Sequence, residues 1–511
     1  MSKTVDAEDS QRGSESGSLA RGGLASFGGA AISAVMGFAL TFVLARGLGE
    51  AGSGVVLQAT AIFAITVSIG KLGMDSAAIW LMPRLLVDAR SEIRSAVNFL
   101  FAISAAAGIL AGILISLVGP VVIGDSAVES RELGSSLVAL GWAVPVAVLV
   151  LVALAAIRGL GKLLPYVAIG SIALPAARPI AVLLSLWFAG SALAAVWAWA
   201  APLPFALVGA LVLLGVQIRK LTAGTDRGRR KNWPSRERRS QILGFALPRT
   251  LSAGLEQSLL WLDLILVGAL AGASAAGIYG GASRFIAAGL IVDTALRVVV
   301  SPQFSSLLHR GDIPGVQRLY GTAATWLVLF STPIYIVLAI YAPTILGWLG
   351  PGFAAGSHVL VILSVGAVIT FAAGNIHSVL LMSGRSGWAA FNKAIVLAVN
   401  VAGNLVLVPV MGIEGAALSW AASMMIDACM AAFEVHRFLG VNVDASAVAY
   451  GLLVPSMCVG IPAGVFRTFY GSHNWTLALS VALGGVLLAV WCRLDAHKLK
   501  LSDLRARPGR G

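Results

Sequence analysis

Charge is what this chain has least of. Only 12% of its 511 residues are Asp, Glu, Lys or Arg, against 58% apolar, and the mean hydropathy is +0.89. Soluble domains carry about a quarter charged residues, so these proportions exclude a soluble fold; apolar runs of about twenty residues read as membrane spans. Cysteine is scarce too. Cys429, Cys458 and Cys492 stand singly in or beside apolar runs, which excludes a disulfide framework or a cysteine metal site. No GxxxxGK[ST] loop occurs, so the chain carries no ATPase engine of its own, and it has no HExxH or similar metal-hydrolase motif. The outward loops are short, the longest running roughly from Gly119 to Gly134. A membrane glycosyltransferase or polymerase needs a larger acidic site there, so the chain reads as a non-enzyme.

What charge remains is mostly positive, +13 net, and most of it lies in loops on one side of the membrane. Hydropathy places about fourteen spans, near 24–45, 54–81, 97–118, 135–157, 164–188, 192–216, 243–269, 275–300, 320–341, 358–382, 388–410, 415–436, 447–466 and 474–492. Loops on one side hold Arg84, Arg90, Arg94, Arg158, Lys162, Arg310, Arg318, Arg385 and Arg437, and also the stretch from Gln217 to Gln241 with its nine Lys and Arg. Opposite loops offer little beyond Arg131, Arg467 and Arg46. The positive-inside rule therefore predicts a multi-pass protein of the plasma (inner) membrane with both termini cytoplasmic. The basic charge follows membrane topology and is no nucleic-acid signal. The expected organisation is a disordered cytoplasmic head (1–22), an N-lobe of six spans (23–216), a basic loop (217–241), a C-lobe of six spans (242–438), two further spans (439–492) and a basic tail (493–511). A faint repeat supports the division. LARGLGEAGSG from Leu44 and LVGALAGASAAG from Leu266 stand between the first and second spans of each half, and Pro83 and Pro302 follow.

Ionisable residues inside spans are expensive, so they mark cavities or partners. The stretch from Ile242 to Pro302 carries Arg249, Glu256, Asp263, Arg284, Asp293 and Arg297. Arg249, Glu256 and Asp263 are spaced by sevens, which puts them on one helical stripe about 20 Å long. Arg178 lies between Pro175 and Pro179 in span five, a bent helix presenting a cation. Its plainer reading is a cation paired with a carboxylate for packing. On span eleven Lys393, Asn400 and Asn404 share a face; on span twelve Ser419, Ser423 and Asp427 follow at i, i+4 and i+8. Two such stripes offer amide, hydroxyl and carboxylate oxygens to a cation, or simply bond neighbouring helices. Lys71 with Asp75 and Asp293 with Arg297 are i, i+4 pairs, better read as structural. His377 reads as a satisfied interior histidine.

The segments LARGLGEAGSGVV, LWLDLILVGALAGASAAGIYGGASRFIA and AVNVAGNLVLVPVMGIEGAALSWAASM resemble the polysaccharide-transporter branch of the multidrug/oligosaccharidyl-lipid/polysaccharide (MOP) exporter superfamily, the lipid-linked oligosaccharide flippases. The resemblance rests on Arg46 to Gly49 after span one, on Trp261, Asp263 and Gly268 in span seven, and on Asn400, Asn404, Pro409, Gly412, Gly415, Ala416 and Ala417 across spans eleven and twelve. It implies an all-α, MATE-like V-shaped bundle of two six-helix lobes plus two C-terminal helices, working by alternating access without a bound cofactor. Its substrate would be a polyprenyl-(pyro)phosphate-linked oligosaccharide, moved from the inner to the outer leaflet for cell-surface polysaccharide assembly beside glycosyltransferases or a polymerase. Arg178, Arg249, Arg284 and Lys393 would hold the diphosphate and sugar, with Arg297 and Asp263 also counted to the cavity. Na⁺ or H⁺ coupling would fall to Glu256, Asn400, Asn404, Ser423 and Asp427, with Na⁺ at Glu256, Asn400 and Asn404. Asn404 is neutral where some relatives carry a carboxylate, which leaves a proton on Glu256 as the alternative. The competing functions are a small-molecule or multidrug antiporter of the same superfamily and a non-transporting scaffold for glycan-assembly enzymes. An exporter of organic cations calls for an acidic cavity, whereas this one counts as net basic.

Overall fold

The computed structural model describes residues 25–124, 127–222, 232–385, 387–496 and 499. The segment expected as a head lies wholly, and the basic tail largely, outside the described residues; of the basic loop, 223–231 lie outside them and both ends continue the flanking helices. Lipid offers no partner to a backbone N–H or C=O, so a chain this apolar has to satisfy both within helices. The described residues are indeed helical: α1 (Ala25–Gly70), α2 (Met74–Asp88), α3 (Arg90–Ile123), α4 (Val128–Gly141), α5 (Ala143–Gly159), α6 (Leu163–Phe188), α7 (Ala192–Leu221), α8 (Arg236–Ala271), α9 (Ala273–His309), α10 (Ile313–Ile340), α11 (Pro351–Ala372), α12 (Ile376–Met382), α13 (Gly387–Met411), α14 (Ile413–Leu439), α15 (Ala445–Tyr470) and α16 (Asn474–Leu494).

Twelve of these helices are long and apolar enough to cross a membrane, and α4 with α5, bent by 49°, makes a thirteenth span. The 46 residues of α1 would measure about 69 Å if straight, roughly twice the hydrocarbon thickness. Gly49 interrupts it at φ 67, ψ −170, so its two arms are two spans and the passes number about fourteen, as hydropathy predicts. Gly272, at φ 89, ψ 170, separates α8 from α9 in nearly the same conformation. Only glycine adopts that region readily. The two copies of the faint repeat thus turn on the same backbone device.

Internal packing divides the chain into two compact units, residues 1–48 with 55–261, and residues 49–54 with 262–511. In unit 1 the core gathers around α2, α3, α5 and the start of α8, with Met74, Leu81, Phe99, Leu100, Ile157 and Ile242 buried. Trp80 stacks on Phe245 at 4.8 Å, and Arg84 lies over Trp80 at 4.0 Å. A π-helical turn, Val167–Ala173, precedes Pro175 and Pro179 in α6; these are the recognised causes of a local bend.

In unit 2, α13 and α14 pack along each other, and Phe304, Tyr320, Val379 and Val435 form a second core. Predicted span ten (358–382) is not one helix. It breaks after Ala372, where Gly374 takes φ 64, and resumes at Ile376. The break frees a carbonyl, and the Tyr320 hydroxyl donates to Ala373 O at 2.5 Å. Unit 2 also holds the turn 49–54 against the start of α9. A Cβ at Gly54 would strike the Ala273 carbonyl and the Gly277 amide, and one at Gly277 would strike the Glu50 carbonyl. Gly54 and Gly277 each follow their turn glycine by five residues, so the repeated turns meet backbone to backbone.

Candidate functional site

Arg178 belongs to unit 1. Its guanidinium lies over the indole of Trp199 on α7, 3.9 Å from the ring centroid, and Trp199 meets Phe63 edge-on at 5.3 Å. Nε is buried without a hydrogen-bond partner, and Arg178 makes no ion pair among the described residues. The carboxylate that a packing role required is therefore not the partner found. Cation–π attraction holds the group while leaving N–H donors available for an anion. Arg249 and Glu256, also in unit 1, lie 4.0 Å apart with side chains 50% and 58% exposed. They are partners for each other.

Asp263, further along that stripe, has other surroundings. Expected as a cavity group beside Arg249 and Glu256, it is instead 7% exposed and enclosed by unit 2. Asn404 Nδ2 donates to its Oδ1 at 2.8 Å, and the Tyr279 hydroxyl approaches Oδ2 at 3.4 Å. The same Asn404 amide donates to the Asn400 carbonyl at 2.9 Å and reaches Asn400 Oδ1 at 3.3 Å. Asn404 Oδ1 is buried and has no partner among the described residues. The Asn404 amide nitrogen thus faces both Asp263 and Asn400; with that amide turned over, its oxygen would join a carboxylate and a second amide oxygen in a hard donor set of the kind a monovalent cation takes. Among the described residues no three His, Cys, Asp or Glu gather as a transition-metal site would require. Glu256, expected with Asn400 and Asn404, is paired with Arg249 in unit 1; the carboxylate bonded to Asn404 is Asp263.

The remaining residues fall elsewhere in unit 2. Ser419 and Ser423 donate to carbonyls of their own helix, Gly415 O and Trp420 O, each at 2.8 Å. Asp427, expected beside them at a cation, instead accepts from Lys393 Nζ at 2.6 Å, and His377 Nε2 stands 3.3 Å away. Lys393 is thereby tied to a carboxylate. Arg297 is bonded to Asp293 at 2.6 Å. Arg284 is partly buried on α9 and has an interaction of its own. Sequence reasoning missed Tyr279, Trp199, Asn392 and Glu434. No spacing rule ties an aromatic ring or an amide to a partner on a different helix, and Glu434 stands at the end of its predicted span, where an acid gives no signal.

This is a membrane-transporter fold. The chain is similar to a structure of the lipid II flippase MurJ in an inward closed conformation, at TM-score 0.71 and 14% identity, over 94% of this chain and 99% of that one. It is also similar to an inward-facing multidrug resistance MATE family transporter of the MOP superfamily, at TM-score 0.60 and 14% identity, over 82% and 96%. The chain belongs to the polysaccharide biosynthesis protein family, whose profile matches residues 19–308. Among curated proteins it resembles the probable low-salt glycan biosynthesis flippase Agl15 of Haloferax volcanii, 23% identical over 222 residues. That match takes in 42% of this chain and 45% of the relative, so the chain spans less than half the length of the curated protein it matches.

Proposed function

We propose that the protein is a flippase carrying a polyprenyl-(pyro)phosphate-linked oligosaccharide from the inner to the outer leaflet of the plasma membrane by alternating access. The observation that carries this reading is Arg178: a cation within a membrane-spanning helix, stacked on Trp199, with a buried N–H unbonded and, among the described residues, no carboxylate paired to it. A guanidinium so placed suits phosphate oxygens, which it can bind through two N–H groups at once. An organic-cation exporter would set an acid in that position. Family membership and the likeness to a glycan flippase point the same way. Asp263 with Asn400 and Asn404 is the group that would take a coupling Na⁺. Glycosyltransferases or a polymerase of a cell-surface polysaccharide pathway are the expected partners, with both termini in the cytoplasm.

The test is leaflet-resolved accumulation of the lipid-linked glycan in cells carrying Arg178→Ala or Arg249→Ala. Precursor should build up on the cytoplasmic leaflet in the Arg178 variant while the protein remains in the membrane. Arg249 has Glu256 as a partner and should matter less. Normal outer-leaflet glycan with both substitutions would remove the arginines from the mechanism and favour the antiporter or the scaffold.

A further inference from the structure

Between α6 and α7, both in unit 1, lies a cavity of about 600 Å³ whose twelve lining residues are all apolar. Six of them are small: Ala173, Ala177 and Ala181 on α6, and Ala201, Ala206 and Gly209 on α7. On α6 they recur by fours, along one face of the helix. The rim is open, with Ile180, Leu184 and Phe205 each more than half exposed. The π-helical turn Val167–Ala173 with Pro175 and Pro179 bends α6, which packs on α7 more closely over Ala192–Ala200 than beyond Pro202. Gly209 does not serve close packing: a Cβ there would meet Ile169 Cδ1 at 3.7 Å, an ordinary contact. What it leaves is room.

The two helices that wall this cavity also carry the cation–π pair. Arg178 follows Ala177, and Trp199 stands two residues before Ala201. A guanidinium with a buried, unbonded N–H thus stands at the flank of an apolar trough that runs from Ile169 to Leu184, about 22 Å along α6. Arg178 is near the middle of the 26-residue α6, and so about 15 Å of hydrocarbon from either surface of the bilayer. A resident phospholipid keeps its phosphate at the surface, because burying that charge in hydrocarbon is strongly penalised. A lipid diphosphate in transit does pass this depth. Its chain begins at the phosphate, so the chain needs an apolar opening directly beside the guanidinium. Small lining residues suit an isoprenoid, whose methyl branches take more width than a straight acyl chain.

We propose that this cavity is a binding site for the first isoprene units of a polyprenyl diphosphate, with Arg178 taking the phosphates and the rest of the chain leaving through the open rim into the bilayer. The site reads the carrier lipid and not the sugar. That the lipid bears a glycan and is flipped rests on the function proposed above; that a prenyl diphosphate binds here does not.

The probe is farnesyl diphosphate bearing a diazirine on its first isoprene unit, photolysed with the full-length protein in phosphatidylcholine nanodiscs, and the labelled peptides are mapped by mass spectrometry. Label should fall on 169–184 and 201–209. Excess unlabelled farnesyl diphosphate should remove it, and adding phosphatidylglycerol to the discs should not. Ala181→Leu combined with Gly209→Leu fills the cavity. Denying the chain the burial of two methylene groups costs about tenfold in Kd, so this variant should bind farnesyl diphosphate about tenfold more weakly. It should bind inorganic diphosphate as the wild type does, whereas Arg178→Ala should weaken both. Label on other helices and none on these two segments would overturn the assignment. So would label displaced by phosphatidylglycerol, which would make the cavity a seat for bulk lipid. Label here in a protein whose deletion leaves outer-leaflet glycan normal would support the site and sink the flippase reading. A deletion that strands the glycan on the inner leaflet, with no label here, would sink the site alone.

Discussion

Replacing Asn404 by aspartate would turn a neutral partner of Asp263 into a second carboxylate. The Asn404 Nδ2 to Asp263 Oδ1 distance is 2.8 Å, so two carboxylate charges would face each other at about 4 Å. At an effective dielectric of 20 that repulsion is about 4 kcal/mol. The donated hydrogen bonds to Asp263 and Asn400 are lost as well, so the variant should be less stable than the wild type in sodium-free buffer. A cation between the carboxylates removes the repulsion. If only a third of it, about 1.4 kcal/mol, appears as binding energy, sodium affinity rises tenfold. The assay is thermal unfolding of the purified protein while Na⁺ replaces N-methylglucamine at constant ionic strength. Asn404→Asp should reach half its stabilisation at about one-tenth the sodium concentration the wild type needs, and K⁺ should serve poorly. Equal half-maximal concentrations in both proteins, or a variant indifferent to sodium, would refute a cation site at Asp263.

Two further outcomes follow from packing. Gly54→Ala places a methyl against the Ala273 carbonyl and the Gly277 amide, backbone atoms that cannot swing aside, and should lower unfolding stability by about 1–3 kcal/mol. Gly485→Ala, in α16 with open space around it, should be neutral or slightly stabilising, since alanine is favoured in a helix interior by about 1 kcal/mol. Trp199→Leu removes the ring beneath Arg178 and should weaken binding of a short-chain polyprenyl diphosphate by up to about 2 kcal/mol, roughly thirtyfold in Kd. Trp199→Phe should keep most of the affinity, and a leucine variant that binds as the wild type does would show the stacking to be irrelevant.

The likeness to a lipid II flippase and to a multidrug transporter leaves the cargo to be argued from side chains. One fold hosts both kinds of substrate. The position of Arg178, without an ion pair among the described residues, weighs more in that choice than the helix count, because in a low-dielectric interior each charge must find a counter-charge or a ligand.

The sequence by itself determined the spans, their approximate number and the two glycine turns. A chain in lipid has one way to satisfy its backbone, and hydropathy reports where that happens. Gly49 and Gly272 were legible for the same local reason, since they end helices by a conformation few other residues adopt. Only the tertiary structure decided which polar groups meet. Helical phase put Asp263 on a stripe with Arg249 and Glu256, yet the packing of unit 2 gave it to Asn404. Phase likewise lined Asp427 up with Ser419 and Ser423, but Lys393 and His377 arrive from two other helices and claim it. The break at Gly374 sets where His377 stands, and a hydropathy window averages across it. Spacing along a helix states which residues share a face. What that face meets depends on the rotation and register of its neighbours, and those are set by side-chain packing over the whole unit.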